Sequence, residues 1–158
     1  MSSDAGAPAA GRKPRILVFT TNAVSDPGVD LAGSAHLDYP VSVRVLAVPC
    51  SAGINPDWIV HAFRRGFDGV FIAADGGDCS KVADCTARTS TLVQVAQERM
   101  RAEGVAPGRL KMAAICSVCS EPFTTHMRKF SKELEQLGVG GPAPPPPAAP
   151  TTPLAAVA

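Results

Sequence analysis

Five cysteines stand at positions 50, 79, 85, 116 and 119. Four of them sit in turn-like sequence. Cys50 follows Pro49 in PCSAGINP, Cys79 closes DGGDCS, and Cys116 and Cys119 form a Cys-x-x-Cys in CSVCSEP. Glycines at 76 and 77 free the backbone to turn sharply and to approach another group, so a cysteine just beyond them is placed to touch it. Cys-x-x-Cys lets one short turn present two sulfurs to a single metal site. The same spacing suits a redox dithiol, because a second sulfur near a helix start is held where negative charge is favoured and thiol pKa falls. Cys85 falls on the inward stripe of an expected helix and reads as a small core residue. Asp78, next to Cys79, reads as a cap for that helix.

Other chemistry is weakly signalled. No nucleophile stands at recognisable spacing from a histidine and a carboxylate, and there is no His-Glu-x-x-His and no P-loop. His36, His61 and His126 are scattered and read as surface or helix-end residues. The hydroxyl-rich TTNAVSD segment is reminiscent of a phosphate loop, yet it has no glycine before Gly28 and reads better as a polar turn. Arg64, Arg65, Arg128, Lys129 and Lys132 read as solvated helix faces.

The positioning elements follow from patterning. A chain of 158 residues, 46% hydrophobic and 18% charged, suffices for one domain with a core. A formal net charge of +1 offers no broad attraction to nucleic acid or anionic membrane. No segment reaches the roughly 18–20 apolar residues of a membrane span, and the opening lacks a secretory signal, so a cytoplasmic location is expected. In a reducing compartment cysteines suggest metal, redox or core duties before structural disulfides. Residues 1–13 read as a disordered leader, 14–139 as the folded domain, and the proline- and alanine-rich 140–158 as a disordered tail.

Short branched runs at 15–21, 41–48, 69–74 and 110–116 predict buried strands, each followed by a helical pattern. In the second helix Asn55 can cap and Pro56 suits the first turn, with Trp58, Ile59, Ala62 and Phe63 inward. The third is expected from about Cys79 to Glu103, with Cys85, Leu92, Ala96 and Met100 near one stripe. The fourth starts at Ser120 and spaces Phe123, Met127, Phe130, Leu134 and Leu137 as a core face. Strand–helix alternation implies an α/β single-domain sandwich, Rossmann-like or flavodoxin-like, with about four parallel strands. Ligands bind such sheets at the carboxyl ends of the strands, and the loops there carry Cys50, Cys79, Cys116 and Cys119.

The segments ILVFTTN…DLAG, YPVSVRVLAVPCSAGINPDWIVHAFRRGFDGVFIA…GGDC, ARTS…EGVAPGRLKMAAI and FTTHMRKFSKELEQLG resemble the delta, iron-sulfur subunit of methyl-viologen-reducing hydrogenase. The likeness runs in order through residues 15–139. It implies a [2Fe-2S] cluster and electron transfer between a hydrogenase or dehydrogenase and a heterodisulfide-reductase-type flavoprotein subunit. In the family pattern the first strand leads into Cys-x-x-Cys, the second ends in Pro-Cys, and the third gives Gly-Cys-x-x-Gly-Asp-Cys. Pro49, Cys50, Gly77, Asp78 and Cys79 match. Thr21, Val24 and Ala74 stand where that pattern has cysteine, and none of them supplies a soft anionic sulfur. Cys116 and Cys119 stand where the family pattern has no pair.

The leading expectation is thus an electron-transfer subunit with a [2Fe-2S] cluster on a partly relocated set, Cys50, Cys79, Cys116 and Cys119. Three alternatives stay open: a cluster-less docking paralogue, a Cys116–Cys119 redox dithiol, and zinc on the same four sulfurs.

Overall fold

A computed structural model describes residues 12–79 and 81–139; the expected leader up to residue 11 and the whole tail lie outside the described residues. In chain order the elements are β1 (Ile16–Thr21), α1 (Ser25–Ser34), β2 (Val43–Val48), α2 (Pro56–Arg64), β3 (Gly69–Ala74), α3 (Cys85–Ala102), β4 (Leu110–Ala114) and α4 (Ser120–Gln136). Short 3₁₀ turns occupy Ser51–Gly53, Gly76–Asp78 and Pro107–Arg109.

The strands form one parallel sheet in the order β2-β1-β3-β4. This is the α/β architecture expected from the alternating pattern. β3 is buried at every residue, as a strand covered on both faces must be, which explains why GVFIAA carries no polar alternation. β2 and β4 are the edges, and their middle residues are correspondingly more exposed.

Each sheet face has its own core. On one, Phe19, Val70 and Ile72 meet Ile59, Val60 and Ala62 of α2 and Leu92, Ala96 and Met100 of α3. On the other, Val18, Phe71 and Ala73 meet Val29 and Ala32 of α1 and Phe123, Met127, Phe130 and Leu134 of α4. A doubly wound sheet of this order has its crevice beside β1 and β3, because the chain leaves β1 in opposite directions on the two sides.

Local signals explain most element ends. Asn55 Oδ1 accepts the Asp57 N–H at 2.9 Å, with Pro56 opening α2 as expected. Trp58, expected inward, is half exposed, and Val60 takes the buried place. Leu137 lies beyond the end of α4 and is 47% exposed, because the helical face stops one turn earlier than the apolar spacing suggests. Arg64 pairs with Glu103 of the neighbouring helix region, and Arg65 is half-buried, so neither is merely solvated. His126 is also drawn in, its ring 5.6 Å from that of Phe71.

α3 differs most from expectation. It begins at Cys85, not near Cys79, because Gly76–Asp78 forms its own turn, with Gly76 at a φ of 64° that favours glycine. Asp78 therefore does not cap the helix; Asp84 occupies that position.

One close approach ties α1 to the turn that follows β4. A Cβ on Gly28 of α1 would lie 2.5 Å from the carbonyl oxygen of Cys116, whereas one on Gly33 would meet nothing within 4 Å. Gly28→Ala should lower stability by about 1–3 kcal/mol through this backbone clash. Gly33→Ala should be neutral or stabilising by roughly 0.5–1 kcal/mol, as expected for a helical glycine. Urea unfolding of the two variants beside the parent distinguishes these outcomes.

Candidate metal and redox site

The site is built from the ends of β2 and β3 and the first turn of α3. Cys50 leaves β2 in an extended conformation and starts the Ser51–Gly53 turn. Cys79 follows the Gly76–Asp78 turn, which Thr86 of α3 fastens by donating its hydroxyl to Gly76 O at 2.7 Å. Cys85 opens α3, its N–H bonded to Val82 O at 3.2 Å.

The sulfurs of Cys50, Cys79 and Cys85 all lie within 4.8 Å of one another. Cys50 and Cys85 are 3.7 Å apart. Ligands on one tetrahedral metal with metal–sulfur bonds of about 2.3 Å stand roughly 3.8 Å apart, so this edge already has the span of a thiolate-bound ion. Cys85 is buried, while Cys50 and Cys79 are partly open to solvent.

Hydroxyls support the buried sulfur from behind. Ser51 Oγ lies 3.4 Å from Cys85 Sγ and 3.0 Å from Thr89 Oγ1. Thr89 donates its own hydrogen to Cys85 O at 2.8 Å, which leaves the single Ser51 hydrogen to serve Thr89 or the sulfur. Burial pushes the Cys85 thiol up. The hydrogen bonds from Ser51, Cys79 and Cys50 and from the Ala52 backbone outweigh it, and the net pKa falls below the ordinary thiol value. Cys50 moves the other way. Burial raises it, the Ala52 backbone partly offsets this, and the hydrogen bond and charge of Cys85, with the charge of Cys79, raise it further. Cys85 is thus the first of the pair to ionise, and its charge holds the proton on Cys50.

Cys116 and Cys119 are joined to each other in a disulfide, with Cα atoms 4.9 Å apart. Cys119 packs on the α1–α4 core, whereas Cys85 continues the α3 stripe on the opposite face. The structure therefore holds the four expected sulfurs as two groups: Cys50 and Cys79 are together, and Cys116 and Cys119 are bonded to one another. Sulfurs spent on each other are not thiolate ligands.

Cys85 is the member that sequence reasoning assigned to the core. It is buried, as expected, and it also joins the thiol group. On an uninterrupted helix Cys79 and Cys85 would sit roughly 9 Å apart along the axis and about 240° around it. The Gly76–Asp78 turn removes that separation. The glycine pair, read as a turn that delays the helix, was the available signal.

Of the three residues that stand where the family pattern has cysteine, Thr21 enters a largely buried polar network, whereas Val24 is half-buried and Ala74 joins the apolar core. Thr21 donates a short hydrogen bond to Asp75 Oδ1. Ser25 Oγ donates to Ala73 O at 2.8 Å and accepts the Thr21 N–H at 2.7 Å. Thr20 adds a hydrogen bond to Asp26 at 2.7 Å. These hydrogen bonds tie the end of β1 to the start of α1 and to the end of β3, and within TTNAVSD residues 22–24 form the turn, flanked by the last residues of β1 and the first of α1.

Cys85→Ala should lower the pKa of Cys50, because the hydrogen bond and the negative charge of Cys85 both disappear. The pH dependence of Cys50 alkylation, followed on its own tryptic peptide, should shift to lower pH. An unchanged or higher midpoint contradicts the assignment of Cys85 as the first to ionise.

Comparison with known proteins places this geometry in a lineage. Residues 16–138 match the family described as methyl-viologen-reducing hydrogenase, delta subunit. A subunit of the ferredoxin:CoB-CoM heterodisulfide reductase of Methanosarcina mazei is 31% identical over 79% of this chain and 16% of its own length. The iron-sulfur subunit of the F420-non-reducing hydrogenase of Archaeoglobus profundus is 28% identical over 80% of this chain and 92% of its own. The vhc iron-sulfur subunit of the F420-non-reducing hydrogenase of Methanococcus voltae is 43% identical over 42% of this chain and 47% of its own. The chain thus spans 16% of the heterodisulfide reductase relatives and nearly all of some hydrogenase subunits. With residues 16–138 matched, the chain belongs to the methyl-viologen-reducing hydrogenase delta subunit family.

Proposed function

We propose that this protein is an electron-transfer subunit of a hydrogenase- or heterodisulfide-reductase-type complex, with Cys50, Cys79 and Cys85 holding an iron–sulfur centre. The observation that carries the reading is the gathering of these sulfurs within 4.8 Å at the carboxyl edge of the sheet. Soft thiolates suit iron–sulfur centres and zinc far better than hard oxygen-seeking ions. Three thiols do not complete the four-cysteine shell of an ordinary [2Fe-2S] cluster, so such a cluster would need one further ligand beyond Cys50, Cys79 and Cys85. Bound there, the centre would supply one-electron exchange.

The chain's own residues have definable tasks. Cys85, buried and lowered in pKa, offers the first thiolate, and Ser51 stabilises its charge. Cys50 and Cys79, being partly exposed, keep the centre near the surface, where a partner's redox group can approach. The partners in this reading are a heterodisulfide-reductase-type flavoprotein subunit and a hydrogenase or dehydrogenase. Among the described residues no helix is long and apolar enough to cross a membrane.

The hydrogen bonding of Thr21 with Asp75 and Ser25, where the family pattern has a cysteine at 21, favours a second reading, a docking protein that keeps the family fold without a cluster. Iron separates the two. Protein prepared anaerobically should contain iron and acid-labile sulfide. Cys50→Ser, Cys79→Ser and Cys85→Ser should each weaken iron retention by about tenfold or more, given that even a lost supporting hydrogen bond costs roughly 10–100-fold in metal affinity. Cys116→Ser should leave it unchanged. Colourless protein, free of iron and sulfide after reconstitution, supports the docking reading instead; zinc without colour would identify a structural metal site.

A further inference from the structure

We infer that Cys116 and Cys119 are a reversible two-electron dithiol–disulfide pair, a redox site separate from the Cys50–Cys79–Cys85 group, which exchanges with an external dithiol. The bonded sulfurs are only the starting observation. The turn that carries them is fixed by contacts that do not involve sulfur.

On its first side, Ile115 is fully buried and donates its N–H to Ala74 O at 2.9 Å, extending the β3–β4 ladder to the residue before Cys116. The Cys116 carbonyl rests against Gly28 of α1, where a Cβ would come within 2.5 Å, and it also accepts the Cys119 N–H at 3.1 Å. On its second side, Phe123 is fully buried and donates its N–H to Cys119 O at 3.1 Å. Breaking the sulfur bond therefore leaves both cysteines anchored, poised to close again.

A staple is a poor account of the bond. A cross-link between residues three apart restricts the unfolded chain very little, because loop entropy grows with the length enclosed. Access points the same way. Both cysteines are partly exposed, Ser117 between them is exposed, and Val118 is 74% exposed, so the turn presents itself to a partner.

The exchange balances as ordinary thiol–disulfide chemistry. A thiolate of the external dithiol attacks Cys116 Sγ, forming a mixed disulfide and breaking the bond to Cys119. Cys119 is the better leaving thiolate, because it stands at the amino end of α4, where negative charge is favoured. It takes a proton from solvent. The second thiol of the reductant then attacks the mixed disulfide, releasing Cys116, which is protonated in turn. Two electrons and two protons pass to the pair, and the reductant leaves as its own disulfide.

Differential alkylation of the full chain tests this directly. Trypsin places Cys116 and Cys119 together on the peptide Met112–Arg128, while Cys50, Cys79 and Cys85 fall on three other peptides. The protein is equilibrated at a series of reduced-to-oxidised dithiothreitol ratios, quenched, and alkylated before digestion. The peptide should pass from doubly alkylated to unalkylated as a single step, its reduced-to-oxidised ratio changing tenfold for each tenfold change of buffer, and should return on reversal. Incubated with glutathione disulfide in place of dithiothreitol, Cys119→Ser should accumulate a glutathione adduct on Cys116 at least tenfold above that seen on Cys119 in Cys116→Ser. A peptide that stays doubly alkylated in oxidised buffer, one that resists reduction until the protein unfolds, or a bond to Cys50, Cys79 or Cys85 overturns the inference, as do equal adducts in the two variants. None of these readings depends on iron, so failure here is distinguishable from failure of the cluster reading.

Discussion

Three thiols held within 4.8 Å place a constraint on everything around them. Each ionised sulfur raises the cost of ionising the next, and the half-buried setting offers little water to share the charge. Cys85 and Cys50 are displaced in opposite directions: hydrogen bonds stabilise the Cys85 thiolate against its burial, while burial first, and then the hydrogen bond and charge of Cys85, hold Cys50 protonated. A thiophilic cation would remove the conflict by neutralising all three. Without one, charge settles first on Cys85, where the Ser51 hydroxyl lies 3.4 Å from the sulfur and can support it.

The sheet determines where the group can form. Strand order β2-β1-β3-β4 sends α2 and α3 to one face and α1 and α4 to the other, so the cysteines following β2 and β3 meet the start of α3 on one side. Cys116 and Cys119, after β4, lead directly into α4 and belong to the other side. One chain thus carries two sulfur groups at the carboxyl ends of its strands, a thiol triad beside α3 and a disulfide at the start of α4. Thr21, one of the residues that stand where the family pattern has cysteine, is hydrogen-bonded with Ser25 and Asp75.

Strand runs, the Asn55 cap and the core stripe of α4 up to Leu134 were legible because each rests on local spacing, capping or burial pattern. Trp58 and Leu137 were not, since periodicity marks a face but not the point where neighbouring elements stop covering it. The cysteine partition was legible only in half. Sequence placed Cys50 and Cys79 at one edge through the order of strands. The Gly76–Gly77 turn and the Cys-x-x-Cys spacing were legible, but not that α3 would wait until Cys85 and bring that residue to the same point, nor which of the open partners Cys116 and Cys119 would take. Both outcomes depend on backbone direction over a few residues, information that a spacing pattern does not contain.

Cobalt(II) titration under anaerobic, reducing conditions tests the central claim most directly, because sulfur-to-cobalt charge-transfer absorption grows with the number of thiolates on the metal. A three-thiolate spectrum is expected, diminished by one thiolate in Cys85→Ser and unaltered when Cys116 and Cys119 are both replaced by serine. A spectrum indifferent to Cys85 but weakened by loss of Cys116 and Cys119 would show that the metal sits elsewhere and would contradict the account.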